Sequence, residues 1–185
     1  MMADRPDFHI ITGGPGSGKT TLIEALAALG FHHMSEAGRA IIRDQVAIGG
    51  TALPWADRAA FAELMLGWEM RSWHEAQNRK GPVIFDRGVT DVSGYLRLCG
   101  LPVPAHVTRA AELFRYQRRV FVAPPWREIF VTDTERKQDF AEAQATYEAM
   151  VMVYADLGYE LVSLPLAPVA ERVRFVRARM WRIND

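Results

Sequence analysis

Near the start of the chain, Gly13-Gly14-Pro15-Gly16-Ser17-Gly18-Lys19-Thr20 sets glycines, a lysine and a hydroxyl in an order that suits a polyphosphate. Glycines let the backbone wrap tightly and aim successive N–H groups inward. A helix that starts at the end of such a run adds partial positive charge at its first turn. Lys19 can reach the β and γ phosphates, and Thr20 can offer its hydroxyl to magnesium. The spacing is that of a phosphate loop, G-x-x-x-x-G-K-[ST]. Gly13, Gly14, Pro15, Gly16, Ser17, Gly18, Lys19, Thr20 and the adjoining Thr21 are therefore the expected nucleotide-contacting residues, with ATP and Mg2+ as the expected ligands.

A second group of residues suits the same chemistry. Val83-Ile84-Phe85-Asp86 is an apolar run ending in aspartate, and a carboxylate there can support the magnesium complex across from Thr20. Arg87 follows it, where many P-loop hydrolases and motors carry a water-activating Glu. No N-K-x-D guanine-nucleotide motif is present. Asp-Arg at this position looks like the nucleoside and nucleotide kinases, where the arginine faces the acceptor. Glu36 and Arg39 lie three apart at a helix start. Both can face the cleft at the carboxyl edge of a parallel sheet, Glu36 to accept a hydroxyl proton and Arg39 to hold an anionic group.

Phosphoryl transfer also requires cations on the moving group and exclusion of water. Residues 125–138 are loop-like and charged toward their end, so a lid is expected there. Arg127, Arg136 and Lys137 are its candidate cations, and Arg136 is the expected catalytic one.

These residues need a scaffold, and the hydrophobic pattern supplies one. Short apolar runs at Phe8–Ile11, Phe31–Ser35, Val83–Phe85, Val120–Ala123 and Tyr159–Leu164 read as strands. Helical periodicity fills the intervals: Gly18 to Leu29, Ala37 to Ile48, Trp55 to Asn78, Thr90 to Cys99, Ala105 to Gln117, Phe140 to Tyr154, and a last helix from Val169. Phe61, Leu64, Met65 and Trp68 are the expected buried stripe of the long third helix. Alternating strands and helices predict an α/β fold, a five-stranded mainly parallel sheet with helices on both faces.

Composition narrows the classes. Lys and Arg total 22, as do Asp and Glu, so no net field points to nucleic acid or an anionic membrane. The single cysteine, Cys99, excludes an intramolecular disulfide and reads as a small core residue. The arginines of the last helix, Arg172, Arg174, Arg177, Arg179 and Arg182, read as a solvated face. No stretch has the apolar length of a membrane span, and no secretory signal is evident, so a soluble cytoplasmic protein is expected.

The succession GGPGSGKT, Glu36-Ala37-Gly38-Arg39, VIFDRG and FVAPPWREIFVTDTERKQDF resembles a group of small P-loop proteins called AAA-domain ATPases, neighbours of the ribosylnicotinamide kinases. The resemblance spans most of the chain and implies a kinase-like core with strand order 2-3-1-4-5 and a lid after the fourth strand. The whole chain, 1–185, is thus expected to be one P-loop kinase-like domain. Its expected activity is transfer of the γ-phosphoryl group of ATP to a small molecule such as a nucleoside or nucleotide. Glu36, Arg39, Arg87 and Arg127 are the expected acceptor-binding residues, and Lys19, Glu36, Asp86 and Arg136 the expected catalytic ones. The competing expectation is a nucleotide-binding regulator or slow ATPase with no small-molecule acceptor.

Overall fold

A computed structural model describes residue 5 and residues 7–131 and 139–180. The elements in chain order are β1 (Phe8–Gly13), α1 (Lys19–Ala27), β2 (His32–Met34), α2 (Ala37–Ile48), α3 (Arg58–Ala76), β3 (Val83–Asp86), α4 (Val89–Leu98), α5 (Ala105–Leu113), β4 (Arg119–Ala123), α6 (Phe140–Asp156), β5 (Glu160–Ser163) and α7 (Val169–Met180). A short 3-10 turn, Arg127–Ile129, follows β4.

All strands pair in parallel, in the order β2-β3-β1-β4-β5. The result is a three-layer P-loop sandwich of nucleotide-kinase-like order, as the sequence and its resemblance imply. Period-two alternation divides the central strands between two cores. Phe8, Ile10, Val83, Phe85, Val120 and Val122 pack on one face, with residues of α3 to α6. Ile11, Ile84, Phe121 and Ala123 pack on the other, with α1 and α7. Burial on both faces is why these strands read as unbroken apolar runs. A smaller cluster, including Ile41, Ile42 and Phe61, joins α2 to α3.

Two expectations change. On α3, Leu64 is exposed and the buried face instead runs Phe61, Ala62, Leu66, Glu69, Ser72, Trp73 and Ala76. Phe61 is buried and Met65 and Trp68 are packed partly buried against the core, as expected, but the face is wider than the apolar stripe because Glu69 and Ser72 also lie in it. The fifth helix ends at Leu113 rather than Gln117, because Phe114 leaves helical geometry (φ −89°, ψ 71°). The backbone beyond it is used elsewhere: Trp73 Nε1 donates to Arg115 O (2.9 Å) and Gln117 N donates to Phe8 O (2.7 Å). No described helix is long and apolar enough to cross a membrane.

His9 on β1 is buried, and its Nδ1 has no hydrogen-bond partner. Burial lowers its pKa from 6.5 to about 4; Asp7 opposes this and Arg119 adds to it. The neutral ring therefore contributes stability that is complete above pH 6.5 and is lost as pH falls through about 4. The shift corresponds to at most about 3 kcal/mol. Urea unfolding of the wild type should show a falling midpoint over that window, and His9→Gln should flatten the fall. Equal slopes for both proteins would contradict this assignment.

Candidate active site

β1 delivers the chain to the phosphate loop at the carboxyl edge of the sheet. The loop turns back into α1 through Gly18, whose φ of 75° lies in the left-handed region that glycine adopts without strain. Gly14 serves a different purpose: a Cβ there would lie 2.2 Å from the backbone oxygen of Ala143, so α6 can cross the loop only above a glycine. Lys19 is buried and folds over the loop, Nζ donating to Gly14 O (2.6 Å) and Ser17 Oγ (3.3 Å). Ser17 Oγ donates to the same Gly14 oxygen at 2.8 Å. Thr20 and Thr21 are exposed on the first turn of α1.

Asp86 ends β3 beside Ile11 of β1. It is buried, and its Oδ1 has no hydrogen-bond partner. Burial raises its pKa; Lys19 opposes this, Glu36 adds to it, Arg87 opposes it and Asp91 adds to it. An orphaned buried carboxylate oxygen close to the phosphate-loop lysine fits the magnesium-supporting role inferred from sequence.

Arg87 has φ 72°, the one non-glycine positive φ among the described residues. Residues with a Cβ adopt this conformation at a cost, and do so where surrounding contacts enforce it. Those contacts are carboxylates. Arg87 Nε lies 3.4 Å from Glu36 Oε1, and Nη1 lies 3.4 Å from Asp91 Oδ1. Burial acts to lower the guanidinium pKa, but Glu36, Asp91 and Asp86 outweigh it and raise it. Asp91 also accepts from Thr12 Oγ1, Tyr154 OH (2.6 Å) and Gly88 N (2.9 Å).

A cleft of about 460 Å3 opens beside this cluster. It is lined from the phosphate loop by Pro15, from the residue capping α2 by Glu36, from α3 by Phe61 and Glu69, from the turn after β3 by Arg87, and from α4 and α6 by Asp91, Tyr95 and Thr146, among others. Glu69 belongs to it although nothing in the sequence marked it. Burial raises its pKa well above the ordinary range; Asp91, Glu36 and Asp86 add to the rise, and Arg87 opposes it.

The structure thus brings Lys19, Glu36, Asp86 and Arg87 together. It does not bring Arg39, which is exposed and absent from the cleft lining. Arg127 is also exposed, its guanidinium 4.1 Å from the centroid of the Phe140 ring. Arg136 and Lys137, with the 132–138 part of the expected lid, lie outside the described residues. Cys99 is half-buried and lines the cleft instead of filling the core.

Arg172 corrects another expectation. It is 3% exposed, not part of a solvated face. Its Nη1 donates to the phosphate-loop oxygens of Ser17 (3.0 Å) and Gly18 (3.4 Å), and its guanidinium lies 5.9 Å from the Trp126 ring centroid. Its only sequence signal was its position one turn into an apolar-periodic helix, beside Val173 and Val176.

Residues 8–172 match a family model described as an AAA domain. No curated protein matches the chain. Among solved structures, deoxyadenosine kinase from M. mycoides with bound dATP superposes with a TM-score of 0.57 at 12% identity, over 94% of this chain and 98% of that one. Shikimate kinase from Acinetobacter baumannii in complex with shikimate gives 0.55 at 15% identity, over 92% and 90%. NadR protein in complex with NR gives 0.68 at 19% identity, over 97% of this chain and 53% of that one. At such identities the likeness is one of fold.

The Arg172 contacts lead to a specific expectation. Arg172→Gln should weaken ATP binding about tenfold, the usual scale for loss of a charged hydrogen bond. Calorimetric titration checks this. Unchanged affinity in a folded but less stable variant would show that Arg172 serves packing alone.

Proposed function

Because the chain belongs to the AAA-domain family of P-loop proteins, we propose that it is an ATP-dependent kinase that phosphorylates a small hydroxyl-bearing molecule. The observation that carries this reading is the cleft beside the phosphate loop, a cavity in which a small molecule can lie next to a bound triphosphate. A nucleotide switch or a slow ATPase has no need of a walled cavity at that place, so transfer to a small molecule is favoured over the regulator reading.

In this proposal the loop N–H groups and Lys19 hold the triphosphate, and Arg172 holds the loop from behind. The oxygen of the acceptor hydroxyl attacks the γ-phosphorus. The bond from that phosphorus to the β,γ-bridging oxygen breaks, and ADP leaves with the electron pair. Glu36, which lines the cleft, takes the hydroxyl proton. Arg87 fixes Glu36 and Asp91 through its ion pairs and so positions the acceptor side of the site. Thr20 and Asp86 would hold magnesium, which neutralises charge on the phosphates. Arg127, beyond β4, is a further cation available to the transferring group.

Lys19→Ala should abolish measurable ATP binding or lower turnover by orders of magnitude while the fold persists. Asp86→Asn should retain nucleotide affinity better but raise the magnesium concentration needed for turnover. Calorimetry and a magnesium titration of turnover separate the two effects. Wild-type ATP affinity and turnover in Lys19→Ala would remove the phosphate-loop assignment.

A further inference from the structure

We propose that the acceptor carries no anionic group and presents hydrogen-bond donors, and that Glu69 of α3 binds it. The inference rests on the kinase reading and narrows its substrate class, separating nucleosides and other hydroxylated molecules, neutral or cationic, from nucleotides and acids.

The first observation is the charge of the cleft. Inside it stand Glu36, Glu69 and Asp91, with Asp86 close by. The guanidinium facing them, Arg87, is already committed at 3.4 Å to Glu36 and at 3.4 Å to Asp91. At the rim, Glu142 and Arg58 are both exposed and offset one another in charge. A phosphate or carboxylate on the acceptor would have to displace two carboxylates from Arg87. It would then sit beside Glu36 and Asp91, the two carboxylates paired with Arg87, whose charges oppose its own.

The second observation is independent of the charge count. Glu69 is 4% exposed, lines the cleft, and makes no hydrogen bond among the described residues. A carboxyl group without a protein hydrogen bond, on the buried face of a helix, costs stability relative to an apolar side chain. Its hydrogen-bonding capacity is open to the cavity instead. An O–H or N–H donor on the acceptor satisfies it, and a positive charge satisfies it better. The apolar walls around it, with the rings of Phe61 and Tyr95 packed edge to face at 5.4 Å, suit the carbon skeleton of such a molecule.

Glu69→Gln is a suitable probe, because the amide matches the carboxyl in shape and the empty site already disfavours a charge there. An ultrafiltered small-molecule extract of the source cells is divided on an anion-exchange resin at mildly alkaline pH. The rate of ADP formation from ATP is then measured with each fraction, above a Lys19→Ala blank. The expected result is stimulation by the unretained fraction. Glu69→Gln should need about tenfold more of that fraction for half-maximal rate, with ATP affinity unchanged. Stimulation confined to the retained, anionic fraction would overturn the proposal and leave the kinase reading intact. So would an unchanged half-maximal requirement in Glu69→Gln. Stimulation by neither fraction would remove the kinase reading, and this proposal with it.

Discussion

Asp91 is the point through which the site is held together. Its carboxylate collects four donors: Thr12 from β1, the Gly88 backbone and Arg87 from the turn after β3, and Tyr154 from α6. The phosphate-loop strand, the turn after β3 and the helix that crosses the loop are thereby fixed to one buried group. Buried carboxylates persist when each lone pair is used, and this one is fully used. The left-handed backbone of Arg87 follows from the same contact, since the turn must offer both the Gly88 N–H and the guanidinium to one side chain. Gly14 lets α6 approach closely enough for Tyr154 to take part.

Around that anchor the site divides by charge. Toward the phosphate loop lie Lys19, the helix N-terminus and, behind the loop, Arg172. Toward the cleft lie Glu36 and Glu69, with Asp86 near the boundary. Such a gradient suits a reaction in which a polyanion must be held on one side and kept away from the other. Burial, with the neighbouring carboxylates adding to it, raises the pKa values of Asp86 and Glu69, a pattern common where structure serves binding or chemistry more than stability.

Much of the fold was legible because the sheet is buried on both faces and glycines and prolines punctuate its connections. Phe8–Ile11, Val83–Phe85 and Val120–Ala123 could not be read otherwise, and the strand order followed from the family resemblance. The phosphate loop and the Asp86-Arg87 pair were legible because their chemistry is written in consecutive residues. Glu69, Asp91 and Arg172 were not. Glu69 looks like a polar residue on the outer face of a long helix, and Asp91 like an ordinary first-turn acid. Arg172 meets Ser17 across 155 positions of sequence. Each acquires its role from a tertiary contact that no local pattern encodes. Arg39 shows the converse: helical spacing from Glu36 suggested a shared cleft, yet among the described residues only Glu36 lines it.

The central claim is that this fold moves a phosphoryl group from ATP to a molecule held in the cleft rather than to water. Phosphorus NMR follows that group directly. With the protein, ATP, magnesium and the small-molecule extract, the account predicts a new organic phosphoester signal that grows in step with ADP as the γ-phosphorus signal declines. Loss of the γ-phosphorus signal entirely into inorganic phosphate would contradict it.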